Sequence, residues 1–164
     1  MYKFFVLLLF TVQISVFGQG DSTTIIQNKE LGVFRSFGFN TSSVSGLGLS
    51  YRYHKETNQL VQLTGGIISD GDMLNYTVGA ELQIELSTRR DLRYYLAVGA
   101  GTYQSNNSGD FTAGFGVGFE VPLFGKEIKE NMTAGLTLFY PALYKSTNNN
   151  LVTFGISAFF FYNY

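Results

Sequence analysis

The stretch Leu151 to Tyr164, LVTFGISAFFFYNY, decides the fold. Phe154, Ile156, Phe160, Tyr162 and Tyr164 share one phase of a two-residue alternation, opposite Thr153, Gly155, Ser157 and Asn163. That period belongs to a β-strand with two unlike faces. A water-soluble protein seldom ends by exposing such a strand, because an apolar edge invites aggregation. The rest of the chain has to explain the apolar row.

Seven further segments upstream read as strands, separated by turn-rich stretches: Glu30–Asn40, Gly46–His54, Gln59–Ser69, Met73–Leu86, Leu92–Gln104, Phe111–Leu123 and Asn131–Tyr144. In the second, Leu47, Leu49, Tyr51 and Tyr53 alternate with Gly48, Ser50, Arg52 and His54. In the fourth, Leu74 to Leu86 on even positions faces Asn75, Thr77, Gly79, Glu81, Gln83 and Glu85. The sixth sets Phe111, Ala113, Phe115, Val117, Phe119 and Val121 against Thr112, Gly114, Gly116, Gly118 and Glu120. The first strand breaks the rule, since Arg35 falls in phase with Leu31, Val33, Phe37 and Phe39. A bulge or a reversed phase is expected there.

Composition says which face points inward. Charged residues are only 14% of the chain, against about 25–35% on an ordinary soluble surface. The face opposite the apolar rows is rich in Gly, Ser, Thr and Asn rather than Lys and Glu, which suits a cramped barrel interior and not a wetted exterior. No apolar segment of helix length follows the N-terminal region, so crossing a bilayer falls to strands. The expected fold is all-β: an eight-stranded antiparallel up-and-down transmembrane β-barrel over residues 30–164.

Residues 1–18 read as a cleaved signal peptide. Lys3 is the positive start, Phe4 to Phe10 with Val12, Ile14 and Val16 form the apolar core, and Gly18 precedes the cut. Residues 19–29 are polar and read as a periplasmic leader. Without Lys3 the balance is ten basic to twelve acidic residues, so nothing favours nucleic acid. With no cysteine there is neither a disulfide framework nor a thiolate metal site.

On these eight segments, on the glycine-patterned FTAGFGVGFEVPLF and on the terminal aromatic, the chain resembles small eight-stranded outer-membrane β-barrel proteins. They are of the OmpA/OmpX-like kind, akin to porin-family proteins of Bacteroidetes-type Gram-negative bacteria. The likeness does not extend to the peptidoglycan-binding domain of full OmpA. It implies a place in the outer membrane and the cell envelope, with outer-membrane lipid and the barrel-assembly machinery as partners. It also implies an assembly signal in Phe160, Tyr162 and Tyr164. With both termini periplasmic, Asn40–Ser45, Asp70–Asp72, Ser105–Asp110 and Lys145–Asn150 are outer loops. Tyr51, Tyr53, Tyr94, Tyr162 and Tyr164 then form an inner aromatic girdle, with Tyr76 and Tyr140 at the outer end.

The chemistry-bearing residues gather on the lumen face. If Ser87–Asp91 turns near Arg89, Glu85 pairs with Arg93, and Glu120 falls near Tyr95, one diagonal from Arg93. Arg52, Glu81, Glu85, Arg93 and Glu120 then form a lumen charge cluster. Such a cluster acts either as a gate or selectivity filter or as a plug of mutually satisfied charges. The narrow interior of eight strands favours the plug.

His54, the only histidine, shares a face with Ser50. As i and i+4 on a strand the two lie roughly 13 Å apart, too far for a nucleophile and its base. An exposed, turn-flanking histidine is the expectation. Asp70-Gly71-Asp72 lacks the later ligands of a calcium loop and reads as a hairpin turn. Gly114, Gly116 and Gly118 lie inside a strand, not at a nucleotide-binding turn. No catalytic, cofactor or metal residue is expected. The function anticipated is structural or interactive, with the lumen plugged by side chains. A narrow channel for ions or small solutes is the alternative, and a lipid A-modifying enzyme the more distant one.

Overall fold

In the computed structural model the described residues are 33–164, apart from 56–57, 71–72, 90–91, 106–107, 125–127, 129–131 and 146–149. The signal peptide and leader assigned to residues 1–29, and residues 30–32 of the expected first strand, lie outside them. So do Gly71 and Asp72 of the Asp-Gly-Asp turn.

Eight strands follow in order: β1 (Phe34–Ser42), β2 (Leu47–His54), β3 (Gln59–Asp70), β4 (Met73–Arg89), β5 (Leu92–Ser105), β6 (Ser108–Pro122), β7 (Met132–Lys145) and β8 (Asn150–Asn163). Each pairs antiparallel with the next, and β8 closes on β1. The expected all-β, up-and-down barrel is the fold. Register partners run from Phe34 through His54, Leu60, Gln83, Ala97, Gly116 and Phe139 to Gly155. Since Ser157 faces Ser42, Gly155 lies level with Val44. One circuit therefore climbs ten residues along β1, the stagger that tilts the strands and sets the bore. We call the end where β1 begins and β8 finishes the lower mouth.

The alternation seen in the sequence sorts the side chains by face. Leu49, Leu63, Val78, Val98, Val117 and Ile156 stand exposed outside, while Ser36, Ser50, Gln62, Thr77, Gln83 and Ser157 are buried inside. This is the inverse of a water-soluble barrel. Arg35 needs neither a bulge nor a reversed phase: β1 keeps an unshifted register against both neighbours. Arg35 is exposed beside Phe37 at the lower rim. Irregularity appears instead at Leu86, between Glu85 and Ser87, and on β7 between Phe139 and Ala142.

Side chains are buried at both mouths. At the upper one, Ser43–Gly46 does not stand clear as an outer loop but turns into the lumen, where Val44 is fully buried. Its turn uses Gly46 at φ +93°, a conformation that favours glycine. Glycines on the inner face leave the space. A Cβ at Gly79 would run into the Ser45 carbonyl, and one at Gly101 or Gly155 would lie 2.7 Å from Val44 atoms. At the lower mouth Ile128 is buried, its carbonyl accepting from the Asn163 side chain. Leu60 and the stacked rings of Phe34 and His54 pack there too.

Candidate functional site

Between Val44 and Ile128 lies the charge cluster. Its members sit on inward positions of four strands: Glu81, Arg93 and Glu120 on the adjacent β4, β5 and β6, and Arg52 across the lumen on β2, all buried. Glu120 is the hub. Its Oε1 lies 3.2 Å from Arg52 Nη1 and its Oε2 lies 2.7 Å from Arg93 Nη2, while Thr133 Oγ1 donates to it at 2.5 Å. One carboxylate thus serves two guanidiniums.

The remaining donors and acceptors run outward from that hub. Arg52 Nε donates to Gln62 Oε1 at 2.7 Å, and Arg93 Nη2 donates to Gln83 Oε1. Gln83 Nε2 in turn donates to Glu81 Oε1 at 2.8 Å. The other Glu81 oxygen accepts from Ser45 Oγ of the inward loop, also at 2.8 Å. Aromatic rings support the cations. Arg52 Cζ lies 3.8 Å from the Phe159 ring and 3.7 Å from Phe161, and Arg93 Cζ lies 4.6 Å from Tyr95. Such contacts gain strength when desolvated, to about 2 kcal/mol.

Four of the five expected cluster residues meet in this way; Glu85 does not. It faces Tyr95, not Arg93, and its carboxylate lies 3.4 Å from His54 Nε2. Arg93 is instead the direct register partner of Glu120. His54 is 1% exposed, so it is a lower-mouth core residue and not an exposed flank of a turn. Ser50 Oγ donates to the Leu63 carbonyl at 2.8 Å and shares a hydrogen bond with Thr64. Ser50 and His54 therefore serve different partners.

The inner face is also less uniformly small than its Gly, Ser, Thr and Asn suggest. Tyr95, Phe139, Phe159 and Phe161 fill it. Two of these rings lie across glycines on the adjacent strand, Tyr95 over Gly118 and Phe159 over Gly135. The inward loop is the feature sequence reasoning missed. Its signal was the set of inward glycines at Gly79, Gly99, Gly101 and Gly155, which a Val44 or Ser45 neighbour now explains.

Phe160, Tyr162 and Tyr164 line the closing seam. Phe160 pairs with Phe39 and Tyr162 with Phe37, and the Tyr164 backbone exchanges two hydrogen bonds with Arg35, at 2.9 and 3.1 Å. Their side chains are exposed on the outer surface.

No protein-family model matches this chain, and no curated protein matches it either. Its chemistry therefore has to be read from the geometry alone. Among the described residues no group of three or more His, Asp or Glu side chains is placed to hold a metal ion. The cluster sets two arginines on one glutamate inside the barrel, while Arg52 Nη2 and Arg93 Nε and Nη1 are buried without a hydrogen-bond partner.

Proposed function

We propose that this chain is a small integral outer-membrane β-barrel protein of the OmpA/OmpX-like kind. On this reading it is exported by a cleaved signal peptide and has a structural or interactive role in the cell envelope. It is not an enzyme, and its lumen does not conduct. The observation that carries the reading is the inverted distribution of polarity: apolar and aromatic side chains cover the outside while arginine, glutamate and glutamine are buried within. An apolar exterior around a hydrogen-bonded closed sheet is what a hydrocarbon solvent requires. Phe160, Tyr162 and Tyr164 are proposed as the signal read by the barrel-assembly machinery, and outer-membrane lipid as the surrounding partner.

The plug is favoured over the channel because Val44 and Ile128 are buried at opposite mouths and Arg52 and Arg93 between them both pair with Glu120. Single-channel recording in planar bilayers tests this directly. Wild type and Arg93→Ala are both expected to be silent. A large, stable wild-type conductance would overturn the plug and favour the channel.

A further inference from the structure

The barrel wall is not equally high all round. β1 pairs with β8 only from Ser36 to Ser42, against Ser157 to Asn163. β2 pairs with β3 only from Leu49 to His54, against Leu60 to Gly65. Above those limits the chain between β1 and β2 has turned inward, and the Leu47 N–H donates to Thr77 Oγ1 while its carbonyl accepts from the same hydroxyl. β8 nevertheless continues from Gly155 up to Asn150, paired with β7 alone, and β3 continues from Gly66 to Asp70, paired with β4 alone. Two strand edges thus flank a notch. They are three strand spacings apart, about 14 Å, with two lanes between them that no described strand occupies.

The β8 edge is the better defined. The Ile156 carbonyl accepts from Ser43 N at 2.9 Å, and Ile156 N donates to Ser43 Oγ at 3.0 Å. Ile156 therefore turns its main-chain groups toward the β1 side, and the two-residue alternation of a strand turns those of Phe154 and Val152 the same way. Among the described residues, Phe154 and Ile67, on the two flanking strands, are the most exposed of the large apolar side chains, at 74% and 75%. Phe154 is held by stacking on Tyr140, ring centres 4.6 Å apart.

We propose that the upper edge of β8, from Val152 to Phe154, docks an extended segment of a partner polypeptide, which joins the wall as an added antiparallel strand. The edge continues the ladder that already closes β8 on β1, so the incoming strand takes the lane and the direction that β1 leaves at Ser42. Main-chain donors and acceptors in a row call for another backbone, which lipid tails do not supply. The exposed Val152 and Phe154, alternating with half-buried Thr153, match a segment of apolar residues alternating with small polar ones. This names a partner class for the interactive role proposed above and rests on it. The conductance result is independent of it, so the two fail separately.

Amide hydrogen exchange on the full chain, refolded in detergent micelles, tests the proposal. The probe is a short synthetic peptide of alternating Val and Thr with Lys at both ends. In the free protein the Val152 and Phe154 amides are expected to exchange fast, while those of Phe160 and Tyr162, which face β1, exchange slowly. The peptide is expected to slow Val152 and Phe154 by about tenfold or more. Phe154→Pro removes only a donor that points into the open lane, so it should keep the barrel and lose the protection. Phe154→Ala keeps the donor and should retain protection at Val152. Slow exchange at Val152 and Phe154 without peptide, no change with it, or unaltered peptide protection in Phe154→Pro would each overturn the proposal.

Discussion

Ser45 Oγ donates a 2.8 Å hydrogen bond to Glu81 Oε2, and this single contact joins the inward loop to the charge cluster. Around it the loop is held by Thr112, whose hydroxyl donates to the Val44 carbonyl at 2.6 Å. Asn40 adds a bond from Nδ2 to the Gly46 carbonyl at 3.1 Å. Ser42 Oγ caps the N–H groups of Val44 and Ser45 at 3.1 and 3.0 Å. The stopper is thus seated by polar groups from β1 and β6 as well as by Glu81.

The seat depends on what the wall lacks. Valine at position 79 would drive its side chain into the Ser45 backbone, so Gly79→Val is expected to unseat the loop without opening the hydrogen-bonded wall. The reporter is Val44→Cys, since a thiol packs like a small hydrophobe. In an otherwise unchanged barrel this thiol should resist a polar maleimide. In the Gly79→Val background it should react roughly tenfold faster or more, the effect of about 1.4 kcal/mol on local opening. Equal rates in the two backgrounds would contradict a seated stopper.

Glu120 is the acidic group that both Arg52 and Arg93 touch. Removing one partner of a buried ion pair costs about 3–5 kcal/mol, because the other charge is left uncompensated. Glu120→Gln strands two guanidiniums at once, whereas Arg93→Met leaves Glu120 with Arg52 and Thr133. The glutamine variant is therefore expected to lose more stability, read as the larger fall in the urea midpoint of the refolded barrel. A loss no greater than that of Arg93→Met would mean Glu120 is not the hub.

The strands were legible because alternation is a local property: each of the eight lies within a few residues of its expected place. The cluster was legible only in membership. Placing the turn at Arg89 pairs Glu85 with Arg93, but β4 runs on to Arg89 and β5 begins at Leu92. The extra residue Leu86 then offsets the count again, so Glu85 meets Tyr95. The pairing of Ser105 with Ser108 likewise moves Glu120 opposite Arg93. Hairpin register hangs on one residue at the turn, and the irregularity at Leu86 falls where Leu82, Ile84 and Leu86 still alternate in phase. The inward path of Ser43–Gly46 was illegible for a different reason. Its sequence is that of any polar turn, and its cause lies in glycines on three other strands.

Those aromatic rings that cross glycines offer a test of interior packing. Alanine at position 118 would place its Cβ against the Tyr95 ring, whose hydroxyl is engaged with Thr137 at 2.9 Å. Overpacking of this kind costs about 1–3 kcal/mol. Gly118→Ala should therefore destabilise the wild-type barrel, yet have almost no effect where Tyr95→Ala has already removed the ring. Thermal unfolding of the four proteins in this cycle measures the coupling. Additive losses would show that ring and glycine are not partners.

The closing seam gives the most demanding prediction. β8 meets β1 from Ser157 to Asn163, and Tyr164 adds the two backbone bonds to Arg35. Deleting Phe160 to Tyr164 leaves only Ser157, Ala158 and Phe159 opposite β1, facing Ser42, Thr41 and Asn40. The lower part of β1, Arg35 to Phe39, becomes an open edge, and the Arg52 guanidinium loses the Phe161 ring beneath it. In the outer-membrane setting proposed above, an open edge also leaves main-chain groups unpaired against hydrocarbon, at several kcal/mol each. The truncated chain is therefore expected not to close. Heat-modifiable folded barrel should be undetectable on a gel under conditions where the full chain folds. A truncation that still shows the folded band would mean that the upper seam and the inward loop hold β8 to β1 without the terminal aromatics.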